Sequence, residues 1–247
     1  MSRVGIIRDI DGGIVRKAAW GLAALAWGLF APLAMAAQPE LIAPAEAAVP
    51  KVAFEIKFDV TDAPEMKAFA ETAQKVADEW YPKIVAKLPS EGFTPAAKIT
   101  ITFRKDYKGV AQAAGNQITC SPKWFTEHPD DVGAVVHELV HVVQNYRRGK
   151  RPGWLVEGIA DYVRFFQYEP VKARPHPNAE RAKYSDSYRT TGHFLNWTQE
   201  KYDKELVIKL NAACREAKYS DELWKQYTGK TLEELGAEWK AALAKKN

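Results

Sequence analysis

The 247 residues contain no internal repeat, no long block of like charge and, beyond residue 36, no segment long and apolar enough to span a bilayer. These absences argue against a solenoid, a polybasic arm and a multispan membrane protein. Cysteine is scarce as well. Cys120 and Cys214, 94 positions apart, allow one disulfide at most, and whether it forms is left open. Neither sign of charge dominates, with 35 Lys and Arg against 31 Asp and Glu. The one local basic cluster, Arg147, Arg148, Lys150 and Arg151, reads as a solvated helix end, so no nucleic-acid partner is expected.

With 47% hydrophobic and 27% charged residues, the chain has the composition of a globular protein with one sizeable core. Its N-terminus reads separately. Arg16 and Lys17 precede the apolar run from Ala18 to Leu33, which ends in small residues around Ala34, Met35 and Ala36. That is the pattern of a signal peptide cut after Ala36 or Ala37, with a retained anchor as the alternative. Removing residues 1–36 takes away four basic and two acidic residues, so a net charge of +4 becomes +2. Residues 37–50, rich in Ala and Pro, read as a flexible leader, and 51–247 as a single domain of a secreted or periplasmic protein without stable membrane association.

Val52, Phe54, Ile56 and Phe58 alternate with polar or small residues, which predicts an opening strand. Thr61 or Asp62 then caps a long amphipathic helix carrying Met66, Phe69, Val76, Trp80 and Ile84. Ile99, Ile101 and Phe103 alternate again, and Ala111–Ala114 with Gln117–Cys120 suggest a hairpin or edge strand. Beyond Pro129 the pattern predicts helices near 130–147, 153–166, 187–201, 203–213, 219–228 and 231–244. The fold class is therefore α+β. Residues 167–186, with Pro170, Pro175 and Pro177, read as a surface loop that shapes a cleft rim.

The chemistry concentrates at Val136-His137-Glu138-Leu139-Val140-His141-Val142. On a helix, residues four apart share a face, so His137 and His141 can converge on one Zn²⁺ while Glu138 reaches a water as general base. The helix is apolar nearly all round, and a metal gives three polar side chains a reason to sit in a core. A catalytic zinc usually takes three protein ligands, so a third is sought downstream. In Trp154-Leu155-Val156-Glu157-Gly158-Ile159-Ala160-Asp161, the carboxylates Glu157 and Asp161 are again four apart. Glu157 reads as the third ligand and Asp161 as the acceptor of a ligating histidine's free N–H, with Gly158 letting the two helices approach and Gly153 forming the turn between them. The alternative is a solvated charge stripe shared with Arg164. A further histidine six residues after His141 is lacking, since that position is Arg147, and Gln144 stands where the longer motif has glycine. His128, His176 and His193 have no ligand-like context. Tyr188, opening a helix just after the rim loop, reads either as a donor to the developing oxyanion or as an interfacial core residue.

The stretches 136–144, 154–164 and 188–195, with the Gly229-Lys230-Thr231-Leu232 segment, resemble the plant basic secretory proteins and their bacterial relatives. The chain departs from that pattern at His193 and at Arg189, where the family often has Asp. The resemblance implies a zincin-like fold, a small mixed sheet and an active-site helix before a helical C-terminal part, with His137, His141 and Glu157 as ligands. It implies a secreted zinc peptidase acting on peptides or proteins. A secreted binding or defence protein that keeps zinc for stability, and an amidase of cell-wall peptides, are the other readings.

Overall fold

A computed structural model describes residues 53–146, 149 and 151–245. The expected signal peptide and leader, Val52 within the first strand, and three of the four clustered cations lie outside the described residues. The fold is α+β, a small mixed sheet followed by helices. Its strands are β1 (Glu55–Asp59), β2 (Lys98–Phe103), β3 (Ala111–Ala114) and β4 (Gln117–Cys120), in the order β1-β2-β4-β3. β1 and β4 run parallel to β2, and β3 returns antiparallel to β4, leaving β3 on an edge. The alternation seen in the sequence turns Ile99, Ile101, Phe103, Ile118 and Cys120 to the buried face. Each fully buried Ile or Phe contributes about 1.5–3 kcal/mol through the apolar surface it removes from water.

The parallel β1–β2 pair needs a crossover, and α1 (Lys67–Lys87) supplies it. Neither expected cap serves α1. Asp62 accepts the Lys105 backbone N–H instead, and a 3₁₀ turn at Pro64–Met66 leads into the helix. Phe69 of α1 meets Phe103 and Phe125 at ring separations of 5.9 and 4.6 Å, which clamps the helix to the sheet. Phe125 belongs to α2 (Pro122–Glu127), a short helix the apolar periodicity did not reveal, capped by Ser121. Six residues cover fewer than two turns, too few for a period to show.

Downstream come α3 (Gly133–Gln144), α4 (Gly153–Val163), α5 (Tyr188–Lys201), α6 (Leu206–Arg215), α7 (Glu222–Thr228) and α8 (Leu232–Ala244). The expected boundaries hold to within three residues. α6 and α7 start late because Asp203 forms a side-chain turn on the Glu205 N–H and because Tyr219 and Asp221 bond each other ahead of α7. Beyond α4 the chain makes a π turn, Arg164–Tyr168. Buried Arg215 of α6 donates to the carbonyls of Val143, Gln144 and Leu88, gathering the C-terminal ends of α3 and α1. Cys120 and Cys214 are both buried free thiols.

The two glycines at the α4–α5 crossing act differently from the sequence expectation. A Cβ on Gly158 would meet the Thr191 side chain at 2.2 Å, so this residue admits α5 and not α3. Gly192 of α5 lies against α4 in turn, where a Cβ would come within 3.0–3.1 Å of the Tyr162 N and the Asp161 carbonyl carbon. Gly153 faces open space and keeps ordinary backbone angles, so the turn before α4 does not depend on it. Because backbone cannot yield as a side chain tip does, Gly192→Ala should lower stability by about 1–3 kcal/mol despite alanine's better helix propensity. Urea unfolding of the variant checks this.

Candidate metal centre

α3 is buried along almost its whole length; of its residues only His141 is partly exposed. It ends where Asn145 takes a left-handed conformation, φ 37°. α4 packs beside it with Glu157 and Asp161 facing the histidines. The solvated-stripe alternative is excluded, since Asp161 is 4% exposed and Arg164 pairs elsewhere, with Asp131 and Glu169.

His137 Nε2 and His141 Nε2 stand 3.1 Å apart, and Glu157 Oε2 is 3.3 Å from each. The other nitrogens are committed. His137 Nδ1–H donates to Asp161 Oδ1 at 2.7 Å, and His141 Nδ1–H to Gln144 Oε1 at 2.7 Å. The Gln144 amide is fixed in that sense because its Nε2 donates to the Val156 carbonyl. With both protons assigned to Nδ1 by this network, two imidazole lone pairs and a carboxylate oxygen converge on one point. Three electron-pair donors so close repel unless a cation lies between them, and this is the set of His137, His141 and Glu157 that could hold a metal ion. A proton is the alternative occupant. Burial opposes charge on His137, but the hydrogen bonds to Asp161 and Glu157 outweigh it and hold its pKa up at about 9. Burial likewise raises Glu157, yet the two imidazoles bring it down to about 2.

Glu138 is 7% exposed, and its Oε2 is buried without a hydrogen-bond partner among the described residues. Burial pushes its carboxyl pKa upward, against the pull of the two histidines. Tyr188 is 55% exposed, so the interfacial core alternative does not hold. Its ring lies 6.2 Å from that of His137, and the charge of Glu157 is the main cause of a raised phenol pKa. Ser187 and Tyr188 have φ values of 65° and 46°, positive in neither case through glycine. Strain of this kind costs on the order of 1–3 kcal/mol per residue and collects at functional sites.

His137, Glu138, His141, Glu157, Asp161 and Tyr188 line one open cleft of about 940 Å³, together with Ala111, Gln112 and Ala113 of β3, Tyr107, Gln144, Arg151, Arg164 and Arg189. Of the expected rim loop, Asp186 lines the cleft, while Val171–Ala173 forms a 3₁₀ turn that does not. His128 stacks on Trp124, and His193 Nδ1 accepts from Trp239 Nε1 within the helical part. Two contributors escaped the sequence reading. Gln144 follows His141 by three positions, so its shared helix face was visible in the spacing. Tyr107 sits in an irregular segment with no periodicity to mark it, its hydroxyl laid over Gly109, where a Cβ would approach to 2.5 Å.

Asp161 fixes the ring plane and tautomer of His137. Asp161→Ala should therefore weaken metal affinity by about tenfold to a hundredfold, the usual effect of losing such a support. Competition with a chromophoric chelator measures it.

No curated protein and no solved structure matches the chain. A family model does, over residues 49–239, which include the whole of the site just described. That model is of the BSP family, described as a peptidase of plants and bacteria, and the chain belongs to this family.

Proposed function

We infer that this peptidase is a zinc enzyme, exported by its N-terminal segment, in which Glu138 is the general base. The observation carrying this reading is the convergence of two imidazole lone pairs and the Glu157 carboxylate beside a buried Glu138 oxygen that has no hydrogen-bond partner among the described residues. Two nitrogens and one oxygen suit zinc, and three protein ligands leave the open position typical of catalytic sites.

When bound, zinc supplies a Lewis acid that acidifies the attacking water and polarises the scissile carbonyl. Asp161 and Gln144 keep the Nε2 lone pairs of His137 and His141 directed at the metal position. Glu138 accepts the proton of the attacking water as the new C–O bond forms, and returns a proton to the leaving amine as the C–N bond breaks. Its raised pKa suits both halves of that transfer. Tyr188 donates its hydroxyl to the oxygen on which negative charge develops. β3 is an edge strand that lines the cleft, so an extended peptide can add alongside Ala111–Ala114. Export is read from Arg16, Lys17 and the apolar run to Leu33.

A metal kept for stability alone has no use for Glu138, which disfavours the binding-protein reading. The experiment is digestion of a broad peptide library by the zinc-loaded chain, with products mapped by mass spectrometry. Cleavage within peptides is expected. An untouched library would hand the site to a binding role.

A further inference from the structure

We propose that Arg189 is a specificity-determining residue that selects substrates carrying a carboxylate near the scissile bond. This rests on the peptidase reading and adds a substrate class to it.

The cleft holds acidic groups, and each of the following is engaged within the protein. Asp131 pairs with Arg164 and accepts from Trp124 Nε1, Asp161 holds His137, Glu157 faces both imidazoles, and Asp186 accepts the Lys183 backbone N–H. Arg189 is different. It lines the same cleft, next in sequence to Tyr188, and its guanidinium takes part in no ion pair or hydrogen bond among the described residues.

Its guanidinium is nonetheless held in place. It stacks 4.7 Å from the ring of Phe165, a residue 4% exposed and therefore a fixed platform. Arg164 lies at 4.7 Å from the same ring, and there the charge is matched by Asp131 and Glu169. One ring thus carries two guanidinium groups, one neutralised and one not. The left-handed backbone at Ser187 and Tyr188 brings the start of α5 to the cleft at a cost in strain. A stacked guanidinium offers a rigid fork that fits a carboxylate with two hydrogen bonds. The partner is an acidic side chain or the free C-terminal carboxylate of a short peptide. Arg189 is exposed to solvent, so screening keeps the effect modest, roughly fivefold.

The test uses the zinc-loaded native chain with Arg189→Gln and Arg189→Lys. Fluorescent peptides carry one glutamate walked through a neutral background, each with an amidated or a free C-terminus. Both kcat/KM and binding by anisotropy are measured. The native chain should prefer at least one glutamate position, or the free terminus, over its neutral counterpart by roughly fivefold. Arg189→Gln should abolish that ratio, and Arg189→Lys should restore part of it. Which series shows the preference separates the side-chain source from the terminal one. No preference in the native chain, or an equal ratio in Arg189→Gln, overturns the proposal. If no peptide is cut, the peptidase reading fails, and the binding ratios still decide whether Arg189 selects a carboxylate.

Discussion

Glu138→Gln should lower kcat by about a thousandfold while leaving the metal bound. Glutamine matches the size of the carboxylate but cannot take a proton from water, and none of the three converging ligand atoms belongs to residue 138. The variant should also be at least as stable as the native chain. Burial pushes the Glu138 pKa upward, which means that the fold disfavours its charge, and an amide relieves that penalty. The expected result is thus a threefold signature: lost turnover, unchanged zinc content, and an unfolding temperature that does not fall. Retained turnover would remove Glu138 from the chemistry. Lost turnover with lost zinc would mean that it acts through the metal site's integrity.

Stripping the metal by chelation should end cleavage altogether, and adding zinc back should restore it. Stability should move with it. A ligand that binds only the folded state, at a thousandfold excess over Kd, adds about 4 kcal/mol. For a chain of this size that corresponds to a rise of roughly 10 °C in the unfolding midpoint. Here the effect has a visible origin, because only the folded chain brings the Nε2 atoms of His137 and His141 and the Glu157 carboxylate to within 3.1–3.3 Å of one another, a set of ligands the unfolded chain lacks. Scanning calorimetry with and without zinc reads it directly. An unchanged midpoint would mean that the three groups are content as they stand.

What could be read from the chain alone follows from how local each signal is. The alternation at Ile99, Ile101 and Phe103 and the spacing of His137 and His141 are local, and both survive in the structure. Glu157 and Asp161 could be placed on one face because residues four apart on a helix share a side, although their partners lie in a different helix. Long-range matters were not legible. Asp62 was free to cap α1 until the Lys105 N–H claimed it, a contact 43 positions away. Gly158 marked a close approach, but nothing in its neighbours said that Thr191 and not α3 would fill the space. Arg215 lies beyond the expected 203–213 helix, and its hydrogen bonds to the ends of α3 and α1 exist only once three helices have met. Arg189 is similar, since its lack of a carboxylate partner among the described residues becomes meaningful only when Arg164, on the same Phe165 ring, is seen to have two.

The most direct test of the metal centre is the zinc content of the purified chain after equilibration with zinc and removal of the excess, measured beside His141→Ala and Glu157→Ala. The native chain should retain about one zinc, and each variant should lose most of it. A native chain that retains none, or variants that retain as much, would contradict the assignment of His137, His141 and Glu157 as ligands.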